Sequence, residues 1–86
     1  MSETKCTLTN NLIEGFLYEI LDEWKDLDTI IKALHERFGD DVCVPSDLSK
    51  SGEPRYISKV KKTLERGKRN NIYVFDEATQ RYKNNQ

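Results

Sequence analysis

Two amphipathic stripes follow one another almost without a break in the first half of the sequence. The first recurs at spacings of three and four and comprises Leu12, Ile13, Phe16, Leu17, Ile20, Leu21 and Trp24. The second comprises Leu27, Ile30, Ile31, Leu34 and Phe38. This spacing predicts helices over 11–25 and 28–38, with Gly39 as the cap of the second. Because neither helix buries its stripe alone and only a short turn joins them, they are expected to pack against each other.

A third helix and a β-hairpin are predicted in the second half. Pro54 is suited to the start of a helix and Gly67 to its end, which gives a helix from about Pro54 to Arg66. Strand propensity is high over 72–75 and returns over 80–83 after a polar turn, as in a hairpin. Alternation along the first of these strands favours Tyr73 and Phe75 as the inward side chains. A short strand is also predicted over 42–44.

The length and composition describe one domain with a packed core. The chain has 86 residues, of which 36% are hydrophobic and 34% charged. We expect residues 9–83 to form the domain, with flexible tails at 1–8 and 84–86. No apolar run is long enough for a membrane helix, and the first residues do not resemble a signal peptide. These features predict an intracellular protein with no membrane partner and with reduced cysteines.

Patterns that would indicate catalysis or metal binding are missing from the sequence. His35 is the single histidine, and Cys6 and Cys43 do not have the spacing of a zinc site. Neither a nucleophile elbow nor a glycine-rich phosphate loop is found. We therefore expect a protein that is not an enzyme, with no catalytic residues, no metal, no cofactor and no small-molecule substrate.

The charges are divided between the two halves of the chain. Residues 1–49 carry eleven Asp and Glu against four Lys and Arg, whereas residues 50–86 carry ten Lys and Arg against four Asp and Glu. A split of this kind favours a nucleic-acid surface, or a surface for an acidic partner, on the second half. On the third predicted helix, Arg55, Lys59, Lys62 and Arg66 form a stripe opposite the apolar side chains. A basic stripe is also what an ordinary solvent-exposed helix face looks like.

The order of the elements and two stretches of sequence carry a family resemblance. Residues 55–75, from RYISKVKKTLERG to NNIYVF, and the ending Arg81-Tyr82-Lys83-Asn84 resemble the recognition helix and wing end of certain winged-helix domains. These domains occur in SAM-domain CpG-island-binding proteins and at the N-terminus of MYST histone acetyltransferases. The resemblance implies an α+β, winged-helix-like fold of three helices and a C-terminal hairpin wing. It also implies a helix-turn-helix DNA-binding module in chromatin or transcription regulation, which would be nuclear in a eukaryote.

On this reading the partner is duplex DNA, with the third helix in the major groove. The expected groove contacts are Arg55, Ser58, Lys59, Lys62 and Arg66. The expected phosphate contacts are Lys68, Arg69, Arg81 and Lys83.

An alternative function follows from the acidic residues. Asp76 and Glu77 occupy the wing tip, where the CpG-binding relatives have an aromatic residue and a base-reading lysine. Two carboxylates at that position favour a winged-helix protein-interaction domain, or a small adaptor or inhibitor that does not bind DNA. Such a partner would dock a basic segment on the acidic surface of the first two helices, made of Asp22, Glu23, Asp26, Asp28 and Glu36.

Overall fold

A computed structural model describes residues 6–85 as three helices and a three-stranded antiparallel sheet. The helices are α1 (Asn10–Ile20), α2 (Leu27–Phe38) and α3 (Arg55–Arg69), and the strands are β1 (Lys25–Asp26), β2 (Tyr73–Asp76) and β3 (Arg81–Asn84). The strand order is β1-β3-β2, so β3 lies in the middle and β2 and β3 form the C-terminal hairpin. The predicted fold class, a small α+β domain of three helices with a hairpin wing, is confirmed.

The additional strand lies elsewhere than predicted. Lys25 and Asp26 pair with Tyr82 and Arg81 of β3 to form β1, whereas residues 42–44 form no strand. The backbone N–H of Cys43 donates to the carbonyl of Gly39, which folds this segment into a turn after α2. Cys43 and Val44 belong to a loop and are buried in the core. Strand propensity alone does not distinguish apolar residues of a buried loop from those of a strand.

The first helix ends five residues earlier than predicted. α1 stops at Ile20, and Leu21 caps it by donating its N–H to the carbonyl of Leu17. The last carbonyls of a helix need partners from outside. Here Asn84 supplies them, since its backbone N–H donates to Leu21 and its side chain to Tyr18. Contact with β3 therefore ends α1. The helix begins at Asn10, one residue before the predicted start, with Thr9 as its N-cap.

Gly67 was predicted to end the third helix, and this is wrong. α3 continues to Arg69, with Asn70 as its C-cap, and Gly67 is buried inside it. The chain reverses at Asn71, whose φ of 61° lies in the left-handed region that Asn tolerates better than most residues. At the end of α2 the prediction is confirmed, because Gly39 has a φ of 76° and its N–H donates to His35.

The core forms where the three helices meet the inner face of the hairpin. Its fully buried side chains are Leu8, Ile13, Leu17, Leu21, Ile30, Leu34, Cys43, Val60 and Leu64. Tyr73 is buried and Phe75 is half-buried against Tyr82, which confirms the predicted inward face of the first hairpin strand. Leu8 belonged to the predicted N-terminal tail, so packing begins before residue 9. The rest of that tail at 1–5, and Gln86, lie outside the described residues.

Candidate nucleic-acid interface

The orientation of α3 determines which of its charges are available. Its buried residues are Tyr56, Val60, Thr63, Leu64 and Gly67. At about 100° per residue, the line opposite them runs through Ser58, Lys62, Glu65 and Arg69. We call these four residues the outer face of α3. The sequence placed this face about 50° away, because Ile57 was assumed to be central to the core whereas Tyr56, Thr63 and Gly67 are more deeply buried.

Lys59 lies on the flank of α3 that faces the N-terminal segment. It is half-buried, and its Nζ donates to the backbone carbonyl of Leu8 at 2.7 Å. A hydrogen bond from a charged donor to a carbonyl in a partly buried place is among the stronger ones in proteins. Lys59 therefore fastens the segment before α1 to α3, and the structure does not present it on the outer face.

Two arginines on the same flank form ion pairs with carboxylates. Arg55 Nε lies 3.0 Å from Asp47 Oδ1, and Arg66 Nη2 lies 3.1 Å from Glu14 Oε1 of α1. Both arginine side chains are about half exposed, with values of 53% and 50%. Glu14 is 49% exposed, and an exposed pair of this kind contributes about 0–1 kcal/mol, so Arg66 is able to exchange its carboxylate for another anion at little cost. Asp47 is only 17% exposed and also accepts from the Cys6 N–H, so its pair with Arg55 is held more firmly.

Near the N-terminal end of α3, Glu53 accepts hydrogen bonds from two further polar side chains. Ser58 Oγ donates to Glu53 Oε1 at 3.0 Å, and Lys61 Nζ donates to Glu53 Oε2 at 2.6 Å. The hydrogen bond from Lys61, followed by that from Ser58, holds the pKa of Glu53 below its ordinary value. Ser58 thus points along the outer face but is engaged with Glu53.

Three cations near the C-terminal half of α3 have no carboxylate partner among residues 6–85. Lys62 and Arg69 are exposed, and neither forms an ion pair with any residue between 6 and 85. Lys68 Nζ lies 4.6 Å from the centroid of the Phe75 ring, a cation–π contact that leaves its charge unneutralised. In the described part of the chain, these three residues are the positive charge of the C-terminal half of α3 that no carboxylate neutralises.

The two cations of the wing point away from α3. In the β2–β3 register Phe75 lies opposite Tyr82, and both side chains are on the α3 side of the sheet. Arg81 and Lys83, one residue to either side of Tyr82, therefore project from the other side. Lys83 Nζ lies 6.0 Å from the Trp24 ring. The structure does not bring Arg81 or Lys83 together with the α3 cations.

The acidic residues of the wing and of β1 have structural partners. Asp76 accepts hydrogen bonds from the Ala78 N–H and the Thr79 hydroxyl, which closes the wing turn. Asp26 is the N-cap of α2 and accepts from the Thr29 N–H. Hydrogen bonds from the side chain and then the backbone of Thr29 lower the pKa of Asp26. Glu77 is exposed at the tip.

Glu65 is the residue that sequence reasoning missed. It is the single carboxylate of α3 and lies on the outer face between Lys62 and Arg69. The pKa of Tyr82 is raised mainly by burial and further by the charge of Glu65, so Glu65 is close to the wing as well. A helical projection centred on all five buried residues would have found it.

In the part of the chain between residues 6 and 85, no group of His, Cys, Asp and Glu is arranged to hold a metal ion. No helix in that part is long and apolar enough to cross a bilayer. Both cysteines carry free thiols, and burial raises the pKa of the Cys43 thiol to about 11.

The resemblance to CpG-binding and histone-acetyltransferase winged helices stays a prediction. Comparison of the chain with family models, with curated proteins and with solved structures finds no match in any of the three.

Proposed function

We propose that this chain is a non-enzymatic module that binds duplex DNA through the outer face of α3. The observation that carries the proposal is the group Lys62, Lys68 and Arg69, three cations of α3 with no carboxylate partner among the described residues. On the adjacent flank, exposed Arg66 adds charge that is held only by a weak, exposed pair with Glu14.

The architecture supports the proposal. A helix that packs by one face on two others and leaves the opposite face open is how helix-turn-helix modules enter the major groove. The contacts expected here are mainly to phosphates, because lysine and arginine are the residues that neutralise them. Lys59 has no part in this interface, since its ammonium is bonded to Leu8.

The test is a fluorescence-anisotropy titration of a mixed-sequence duplex at about 50 and 200 mM salt. Three phosphate contacts predict a slope of log affinity against log salt of about −2.7, and a loss of about 40-fold between the two salt concentrations. The variant Lys62→Glu/Arg69→Glu should abolish binding at both concentrations.

The matched control is Lys32→Glu/Arg37→Glu, which makes the same change of net charge on α2. Both residues are exposed, and Arg37 holds only an exposed pair with Glu19. The control should keep most of the affinity. Equal losses in the two variants would mean that net charge, and not the outer face of α3, governs binding.

A second candidate function is a protein-interaction domain, and one surface favours it. Tyr18, Trp24 and Ile72 are 67%, 42% and 54% exposed around Asn84. Two cavities of about 220 and 470 Å³ have Asn84 in their lining. Exposed apolar groups gathered in this way are typical of protein contacts. The titration above separates the two functions, because a protein-interaction domain would leave the duplex unbound at the lower salt concentration.

A further inference from the structure

Glu65 lies on the outer face of α3, three residues after Lys62 and four before Arg69. At about 1.5 Å per residue, these two cations are about 10 Å apart along the helix, close to the major-groove width of about 12 Å. The carboxylate is therefore between two cations that are suited to phosphate contacts on either side of it.

Glu65 forms no ion pair with any residue from 6 to 85, although cations surround it on the helix. Lys61, Lys62, Lys68 and Arg69 are at the i−4, i−3, i+3 and i+4 positions, where helical ion pairs form. In the described part of the chain, Lys61 instead pairs with Glu53, Lys68 lies over Phe75, and Glu65 pairs with none of them. The carboxylate is free to accept hydrogen bonds from a ligand.

A carboxylate facing a DNA groove has few favourable partners. It is repelled by phosphates and, being an acceptor only, by the N7 and O6 atoms of guanine and the O4 atom of thymine. The donors in the major groove are the exocyclic amines of cytosine and adenine. Adenine places its N7 acceptor beside its amine, whereas cytosine presents the N4 amine alone, so cytosine is the base that Glu65 fits best.

We propose that Glu65 is a specificity-determining residue that selects cytosine at one position of the bound duplex. This inference rests on the proposed function, because it needs α3 in the major groove. Lys62 and Arg69 hold the flanking phosphates and set the register, and the carboxylate accepts a hydrogen bond from cytosine N4. Duplexes without cytosine at that position leave the carboxylate unpaired near acceptor atoms, which weakens their binding.

The experiment is selection from a pool of duplexes with a randomised central segment, followed by sequencing and by anisotropy titration of the selected and substituted duplexes. For the wild type we expect cytosine at one position, with about tenfold weaker binding when that base pair is changed, within the range of a single base contact. Glu65→Gln should move the preference to adenine, because glutamine forms a bidentate pair with adenine N6 and N7. Glu65→Ala should lose the preference and bind the other duplexes more tightly than the wild type does.

Glu36→Gln is the matched control, because it removes the charge of an exposed glutamate on α2, away from the interface. It should keep the cytosine preference. Salt-dependent binding without any base preference, or the same preference in the wild type and Glu65→Ala, would overturn the role of Glu65 and leave duplex binding intact. Failure of the folded wild type to bind any duplex would instead overturn the proposed function.

Discussion

The Tyr73 ring of β2 lies directly against Gly67 of α3, in the space that a β-carbon on residue 67 would fill. A side chain at this position would overlap the Cδ2 and Cε2 atoms of the ring. This contact joins the wing to the third helix and buries Tyr73. The glycine is needed for the close approach of a ring and not for a turn.

Gly67→Ala should therefore destabilise the fold although alanine is the better helix former. Overpacking in a core costs about 1–3 kcal/mol, which exceeds the gain of about 0.5–1 kcal/mol in helix propensity. Gly15 of α1 provides the control, because no atom lies within 4 Å of the place where its β-carbon would be. Gly15→Ala should raise the free energy of unfolding by about 0.5–1 kcal/mol. Urea denaturation of both variants checks this, and a shift of the same sign in both would contradict the packing argument.

Lys59 and Lys62 should separate stability from binding. Lys59→Gln removes the charged donor to the Leu8 carbonyl and should lower the free energy of unfolding by about 1–2 kcal/mol. Lys62→Gln, at an exposed position, should change it by less than about 0.5 kcal/mol. In duplex titrations under conditions where both variants are folded, the order reverses, and Lys62→Gln binds more weakly. A loss of affinity in Lys59→Gln alone would contradict the orientation of α3 described above.

Asp26 should contribute to stability only when it is ionised. Its folded-state pKa is below the ordinary value of 3.8, because Thr29 donates hydrogen bonds to the carboxylate. The contribution is thus fully present above that value and is lost as the pH falls through the folded-state pKa. Asparagine accepts the same hydrogen bond but carries no charge and does not titrate. Wild type should have a higher unfolding free energy than Asp26→Asn at pH 7, and this difference should shrink as the pH falls through the folded-state pKa. A difference independent of pH would be evidence against this role.

Cys43 should be the unreactive thiol of the two. It is fully buried, and burial raises its pKa to about 11, so very little thiolate is present at neutral pH. Iodoacetamide at pH 8 should modify half-buried Cys6 first and reach Cys43 only after denaturation. Mass spectrometry of the digested protein identifies the modified residue, and rapid labelling of native Cys43 would show that this part of the core opens.

The elements that bury an apolar stripe were predictable from sequence, and those made by polar contacts were not. The helical periodicity and the strand propensity of the last segments predicted three helices and a hairpin in the observed order. β1 consists of Lys25 and Asp26, which have no strand propensity and pair only because β3 lies beside them. The end of α1 depends on Asn84, more than sixty positions along the chain.

The sequence was enough to predict that the candidate site is a helix, but not which face of that helix is exposed. The apolar residues Ile57, Val60 and Leu64 suggested one orientation, whereas burial of Thr63 and Gly67 turns the helix toward another. Thr63 can be buried since its hydroxyl donates to the Lys59 carbonyl. Gly67 is buried because the Tyr73 ring lies against it. Neither residue belongs to a hydrophobic pattern. In the observed orientation, Lys59 bonds to the Leu8 carbonyl and is not on the outer face, whereas Glu65 is.

The attachment of Leu8 to α3 limits how short a fragment of this protein can be made. Leu8 is fully buried, its carbonyl accepts from Lys59, and the Cys6 N–H donates to Asp47 Oδ2 in the loop before α3. A fragment that begins at the cap of α1 would lack these contacts and leave the Lys59 ammonium in a half-buried place without its acceptor. Recombinant fragments should accordingly begin no later than Cys6.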